Sequence, residues 1–157
     1  MAKSKVNELE KRINKINMDA RREEKALILK IPVPIQVTIK GLVAQQSTVD
    51  YSGTLEGGIS IDFDAKETES TTSFPLKNIK EHQLNYLKMK FKLGGVAFFM
   101  IHFKKVYPDK AFLTPINFVD SYMSNSTTGR KSIPISEFKT EWLTNIDDYI
   151  DKSHKGI

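Results

Sequence analysis

The chain has 157 residues, 39% hydrophobic and 27% charged, the composition of one ordinary globular domain rather than of a disordered segment. It contains no cysteine, which excludes a disulfide framework and any Cys-ligated zinc or iron–sulfur centre. Its net charge of +5 favours a polyanionic partner over an acidic one. The longest apolar run, Val96 to Ile101, is strand-length and far short of the ~18 residues of a membrane span. The N-terminus is polar and has no apolar signal core, so a cytoplasmic location without membrane association is expected.

Val6, Leu9, Ile13 and Ile16 recur at helical spacing and predict an amphipathic helix over 4–25, capped by Ser4 or Asn7. Ala26 to Ile31 predicts a short strand, edged by Pro32 and Pro34. The stretch that follows alternates loosely around Lys40-Gly41 and predicts a short hairpin or projecting arm at about 35–46. Gly53 and Gly57-Gly58 predict turns. Ile59 to Glu67 is the clearest strand, with Ile59, Ile61, Phe63 and Ala65 on one face and Ser60, Asp62, Asp64 and Lys66 on the other. After a polar loop over 68–73, Ser73 is expected to cap a helix running from about Pro75 to Lys92, closed by Gly94-Gly95. Val96 to Phe103 reads as a strand buried on both faces. Ala111 to Ile116 reads as another strand, 117–123 as helical and 125–130 as a loop. Ser136 to Trp142 reads as a last short helix, before a polar tail beyond Asp147 prone to fraying. The order predicts an α/β fold over 1–157: one domain with a mixed central sheet flanked by helices.

Charge is unevenly spread. Residues 77–92 carry five lysines against Glu81 alone, whereas residues 50–69 carry six acids against Lys66 alone. Such an acidic island within a basic chain suits a metal-dependent nuclease; it also reads as an acidic loop balancing basic neighbours. Asp50 precedes the strand that bears Asp64 and Lys66, and residues two apart on a strand project from one face roughly 7 Å apart. Two carboxylates can hold Mg²⁺, and a neighbouring lysine can orient or help deprotonate an attacking water. This is the layout of a PD-(D/E)xK (restriction-endonuclease-like) nuclease core, although the bare pattern also describes a surface salt bridge. Gln83 falls near the centre of the apolar stripe formed by Leu76, Ile79 and Leu87, where a buried amide needs a partner, either the site lysine or water, or nearby backbone. Glu10 flanks the stripe of the first helix and reads as a further metal ligand or as a solvated glutamate. His82 faces solvent or DNA, His102 belongs to the core and His154 to the tail; their spacing makes no zinc site.

At these residues the sequence resembles the RecU family of Holliday-junction resolvases. The resemblance rests on Ser47-Thr48-Val49-Asp50-Tyr51-Ser52-Gly53, on Ile61-Asp62-Phe63-Asp64-Ala65-Lys66-Glu67-Thr68, and on Thr72-Ser73-Phe74-Pro75-Leu76-Lys77-Asn78 followed by Glu81-His82-Gln83. Gly129-Arg130-Lys131-Ser132-Ile133-Pro134 and the pair Leu9-Glu10 with Ile13-Asn14 extend it from about residue 7 to 140. It implies a homodimeric endonuclease that nicks two opposed strands of branched DNA with Mg²⁺, Mn²⁺ substituting. Asp50, Asp64 and Glu10 would bind the metal, and Lys66 would be the catalytic lysine. Thr48, Thr72, Lys77, Gln83, Arg130, Lys131 and Lys40 would lie along the DNA. Apolar positions on the first helix and over 96–103 add to the expectation of a dimer. Two departures stand out: Asp64 replaces a glutamate, and the arm is shorter than the stalk of bacterial members. A nuclease acting on forks, flaps or duplex, and a non-catalytic DNA-binding protein, are the alternative readings.

Overall fold

The computed structural model describes residues 7–32, 35–38, 41–44, 49–125 and 129–156. Helix α1 (Glu8–Arg22) starts at Asn7, whose side-chain oxygen accepts the Glu10 N–H at 2.8 Å. Glu8 and Glu10 in its first turn and Arg21 and Arg22 in its last complement the helix dipole. Its buried face is Leu9, Ile13, Asn17 and Ala20.

Six strands form the central sheet in the order β1 (Ala26–Lys30), β4 (Tyr51–Leu55), β5 (Ile59–Thr68), β7 (Val96–Phe103), β8 (Lys110–Pro115) and β10 (Leu143–Asn145). All neighbours are antiparallel except β5 and β7, which run parallel. Helix α2 (Glu81–Lys92) supplies the crossover between that parallel pair. Strands β2 (Ile35–Thr38) and β3 (Gly41–Ala44) pair with each other in a separate two-stranded sheet, as the expected hairpin. Strands β6 (Ser73–Pro75) and β9 (Ser132–Pro134) form a second small ribbon. Helices α3 (Ile116–Ser124) and α4 (Tyr149–His154) complete the fold.

The sheet is covered on both sides. On one, Leu9, Ile13 and Ala20 of α1 pack with Ile61, Phe63, Phe98, Met100 and Tyr149. The rings of Tyr51, Phe63 and Phe98 stack across three strands at 4.9 and 4.8 Å. On the other, Leu84 and Leu87 of α2 and Val119 of α3 meet Phe99, Ile101, Phe74, Ile133 and Trp142. Strand β7 is buried on both faces, as its continuous apolar sequence predicts.

Several elements differ from expectation. Gly53 lies inside β4 rather than in a turn: a Cβ there would sit 2.0 Å from the Leu27 carbonyl oxygen, so β1 and β4 approach closely only over glycine. Helix α2 starts at Glu81 rather than near Pro75, because 73–75 pair with 132–134 and 76–78 form a single 3₁₀ turn. Its cap is Lys80, not Ser73. In place of the helix expected over 136–142, two 3₁₀ turns form, Ile135–Glu137 and Thr140–Trp142. The tail is ordered by packing: Ile146 and Tyr149 are buried, the Tyr149 ring lies edge-on to Phe63, and its hydroxyl donates to the buried Asn17. The His154 ring further donates to the Glu56 carbonyl at 3.0 Å. Among the described residues no helix is long and apolar enough to cross a membrane.

Candidate active site

The polar residues of β5 share the face that α2 covers. Asp62 and Asp64 are fully buried there, not on a solvent surface. Asp62 accepts the Tyr86 hydroxyl at 3.4 Å and lies 3.5 Å from Lys90 Nζ, so it ties β5 to α2. Asp64 belongs to a different network, at the end of the ladder where β4 begins.

Asp50 and Asp64 interlock through the backbone. Asp50 N–H donates to Asp64 Oδ1 at 3.0 Å, and Ala65 N–H donates to Asp50 Oδ2 at 3.0 Å. Each carboxylate is therefore fixed by an amide beside the other, and each has one oxygen left over. Those two oxygens face lysines: Asp64 Oδ2 lies 2.7 Å from Lys66 Nζ, and Asp50 Oδ1 lies 3.5 Å from Lys30 Nζ. Lys30 also lies 3.3 Å from Glu10 Oε1, which joins α1 to the cluster. The Tyr51 ring lies under the Lys30 ammonium at 5.0 Å, and its hydroxyl donates to Asn14 at 2.8 Å.

Burial, and next the charge of Asp50, push the Asp64 carboxyl up to about 7 despite the opposing Lys66 ammonium. Burial and the charges of Glu10, Asp50 and Asp64 raise the Tyr51 hydroxyl as well. Negative charge is thus held here at an energetic penalty that one lysine does not cancel. Among the described residues no three acidic or histidine side chains stand close enough to enclose an ion as they are. The donor set nonetheless fits a hard divalent cation: its available donors are carboxylate oxygens, and Mg²⁺ takes one or two carboxylates and keeps its remaining waters.

The other expected site residues are spread more widely. Thr48 and Lys40 lie outside the described residues. Gln83 is half-buried and stands outside the stripe of α2, which is Leu84 and Leu87; its oxygen accepts the Lys80 N–H at 3.4 Å as part of the helix cap. The backbone reading of Gln83 is therefore the observed one, because the helix starts later than the sequence suggests. Thr72 and Lys77 are exposed beside β6. Lys131 and Lys77 flank a depression floored by Pro75, Leu76, Ile79 and Met123. Arg130 packs over the Tyr122 ring and pairs with Glu137 at 3.3 Å. His102 is buried as expected, its Nε2 2.8 Å from the Tyr107 carbonyl oxygen. Lys30 is the residue the sequence did not point to. It ends a short strand, is one of 24 basic side chains, and stands 20 positions from Asp50.

The family model for RecU, Recombination protein U, matches residues 4–151. The chain is 31% identical to the Holliday junction resolvase RecU of Latilactobacillus sakei, over 95% of this chain and 82% of that protein. It is 39% identical to the Holliday junction resolvase RecU of Pediococcus pentosaceus, over 85% of this chain and 71% of that one. The corresponding protein of Geobacillus sp. is 35% identical, over 83% and 70%. With a family model spanning nearly its whole length and relatives this similar, the chain belongs to the RecU family.

Proposed function

We propose that this protein is an endonuclease that resolves four-way DNA junctions in recombination and repair; the relatives it matches are named Holliday junction resolvases. The observation that carries the reading is the interlocked pair Asp50 and Asp64 with the Lys66 ammonium 2.7 Å from the second. In this reading Asp50 and Asp64 hold Mg²⁺, or Mn²⁺ in its place, and Glu10 is a further carboxylate. The ion, when bound, would supply activation of water and neutralisation of charge on the scissile phosphate. The chain's own part is positional. The crossed backbone bonds keep both carboxylates in one orientation, which removes reorganisation from the chemical step. Lys66, on the same face as Asp64, orients the attacking water or draws its proton.

Residues 1–157 act as one nuclease domain, with the β2–β3 hairpin as the arm at about 35–46. Thr48, Thr72, Lys77, Gln83, Arg130, Lys131 and Lys40 follow the DNA, the basic ones through phosphates. Two symmetric cuts need two active sites about a two-fold axis, hence a homodimer. The apolar surplus behind that expectation is not on the strand 96–103, which its own chain buries. Among the described residues, exposed apolar side chains include instead Met18 of α1, Leu27 and Leu29 of the edge strand β1, Met89 and Phe91 of α2, and Leu93 just beyond it. The test is cleavage of a labelled four-way junction with Mg²⁺ beside linear duplex. Symmetric nicking of the junction, lost in Asp50→Asn while junction binding persists, is expected. Duplex cut as readily as junction would sink the junction reading.

A further inference from the structure

Among the described residues Lys30 is the one cation in contact with both Glu10 and Asp50, at 3.3 and 3.5 Å. Its position is built rather than accidental. Lys30 ends β1 directly opposite Tyr51 of β4, and the neighbouring Ile31 N–H donates to the Asp50 carbonyl at 2.7 Å. The Tyr51 ring supports the ammonium at 5.0 Å, and that ring is itself pinned by its hydroxyl bond to Asn14 and by stacking on Phe63. Glu10 and Asp50 come from a helix and a strand end far apart in sequence, so a single cation between them also ties α1 to the sheet. The Lys30 side chain is 36% exposed, whereas Glu10 and Asp50 are 17% and 23% exposed, so the lysine has an open path away and the carboxylates do not.

We propose that Lys30 is a built-in counter-ion that competes with the divalent cation for Glu10 and Asp50. In the metal-free protein its ammonium neutralises the two carboxylates and keeps α1 docked. When a divalent ion enters, Lys30 gives up those oxygens and its charge becomes available to a DNA phosphate. Metal affinity is thereby held down until DNA provides another partner for the lysine. The proposal rests on the reading of Asp50 as a metal ligand.

The test titrates Mn²⁺ into the full chain without DNA and follows the loss of the free-ion paramagnetic resonance signal. Lys30→Met keeps the alkyl chain over Tyr51 and removes the charge; Lys30→Arg keeps the charge. Removing a positive charge this close to two ligands is expected to tighten Mn²⁺ binding about tenfold in Lys30→Met. Lys30→Arg should stay near wild type. Added four-way junction should tighten Mn²⁺ binding to wild type more than to Lys30→Met. A second readout is thermal: without metal Lys30→Met should melt lower than wild type, and saturating Mg²⁺ should raise its midpoint by more. If wild type, Lys30→Met and Lys30→Arg bind Mn²⁺ equally while Asp50→Asn loses it, the counter-ion proposal is overturned and the metal reading of the site stands. If Asp50→Asn binds as well as wild type, both fall.

Discussion

Asp64→Asn should make the stability of the metal-free protein less sensitive to rising pH while abolishing cleavage. In the folded chain burial and Asp50 raise the Asp64 carboxyl from 3.8 to about 7. Between those two values the folded state therefore binds more protons than the unfolded state, and stability falls as pH rises. At one pH unit per 1.36 kcal/mol, holding Asp64 ionised above neutrality is a penalty on the order of 4 kcal/mol, of which roughly 2–3 develops between about pH 5 and about pH 8. Asparagine has nearly the same shape, can accept the Asp50 N–H, and carries no charge. It also leaves Lys66 without its closest partner, so the absolute change at one pH mixes two effects. The pH dependence separates them. Urea unfolding in the presence of a chelator, for wild type and variant at about pH 5 and pH 8, should show the variant gaining on wild type by roughly 2–3 kcal/mol across that interval. Adding Mg²⁺ at the higher pH should restore stability to wild type and leave the variant unchanged. A stability difference that stays constant with pH, or narrows as pH rises, would refute the claim that this carboxylate is held ionised against its surroundings.

Gly53→Ala should cost about 2–4 kcal/mol and loosen β1 from β4, because the new Cβ would meet the Leu27 backbone. Faster amide exchange at Leu27 and Leu29, whose N–H groups face β4, would register it, and unchanged protection would count against the close packing. Tyr149→Phe should lower stability by about 1–2 kcal/mol by leaving the buried Asn17 oxygen unpaired, measured by urea unfolding; a neutral effect would mean that water replaces the hydroxyl. Replacing residues 39–43 with a tight Asn-Gly turn should erode the preference for four-way junction over duplex in competition binding at fixed salt. Full preference in a normally folded variant would move selectivity to the basic surface. Sedimentation should find a dimer at micromolar concentration, dissociated by Leu27→Asp with Leu29→Asp. Only a monomer, with and without junction DNA, would argue against paired cutting.

The local pattern was enough for the elements whose residues answer to their own neighbours. Val6 to Ile16 recur with helical period, and α1 follows. The alternation from Ile59 to Lys66 has a two-residue period, and β5 follows with Asp64 and Lys66 on one face. The unbroken apolar run from Val96 has room only between two layers, and β7 is buried on both sides. Asp50, Asp64, Lys66 and Glu10 were legible as candidates because short motifs carried them. Where a residue's conformation depends on a distant partner, the sequence pointed elsewhere. Gly53 reads as a turn until Leu27 is laid against it. Ser73 reads as a helix cap until 73–75 find their partners at 132–134. The polar tail reads as frayed until Tyr149 meets Phe63 and Asn17. The site shows the same division: residue types that can hold a metal are visible in the chain, but the crossed amide bonds between Asp50 and Asp64, and the Lys30 ammonium set between α1 and β4, exist only after four elements, α1, β1, β4 and β5, have packed. Long-range geometry decides which oxygens are spent on backbone and which remain for chemistry, and no local periodicity encodes it.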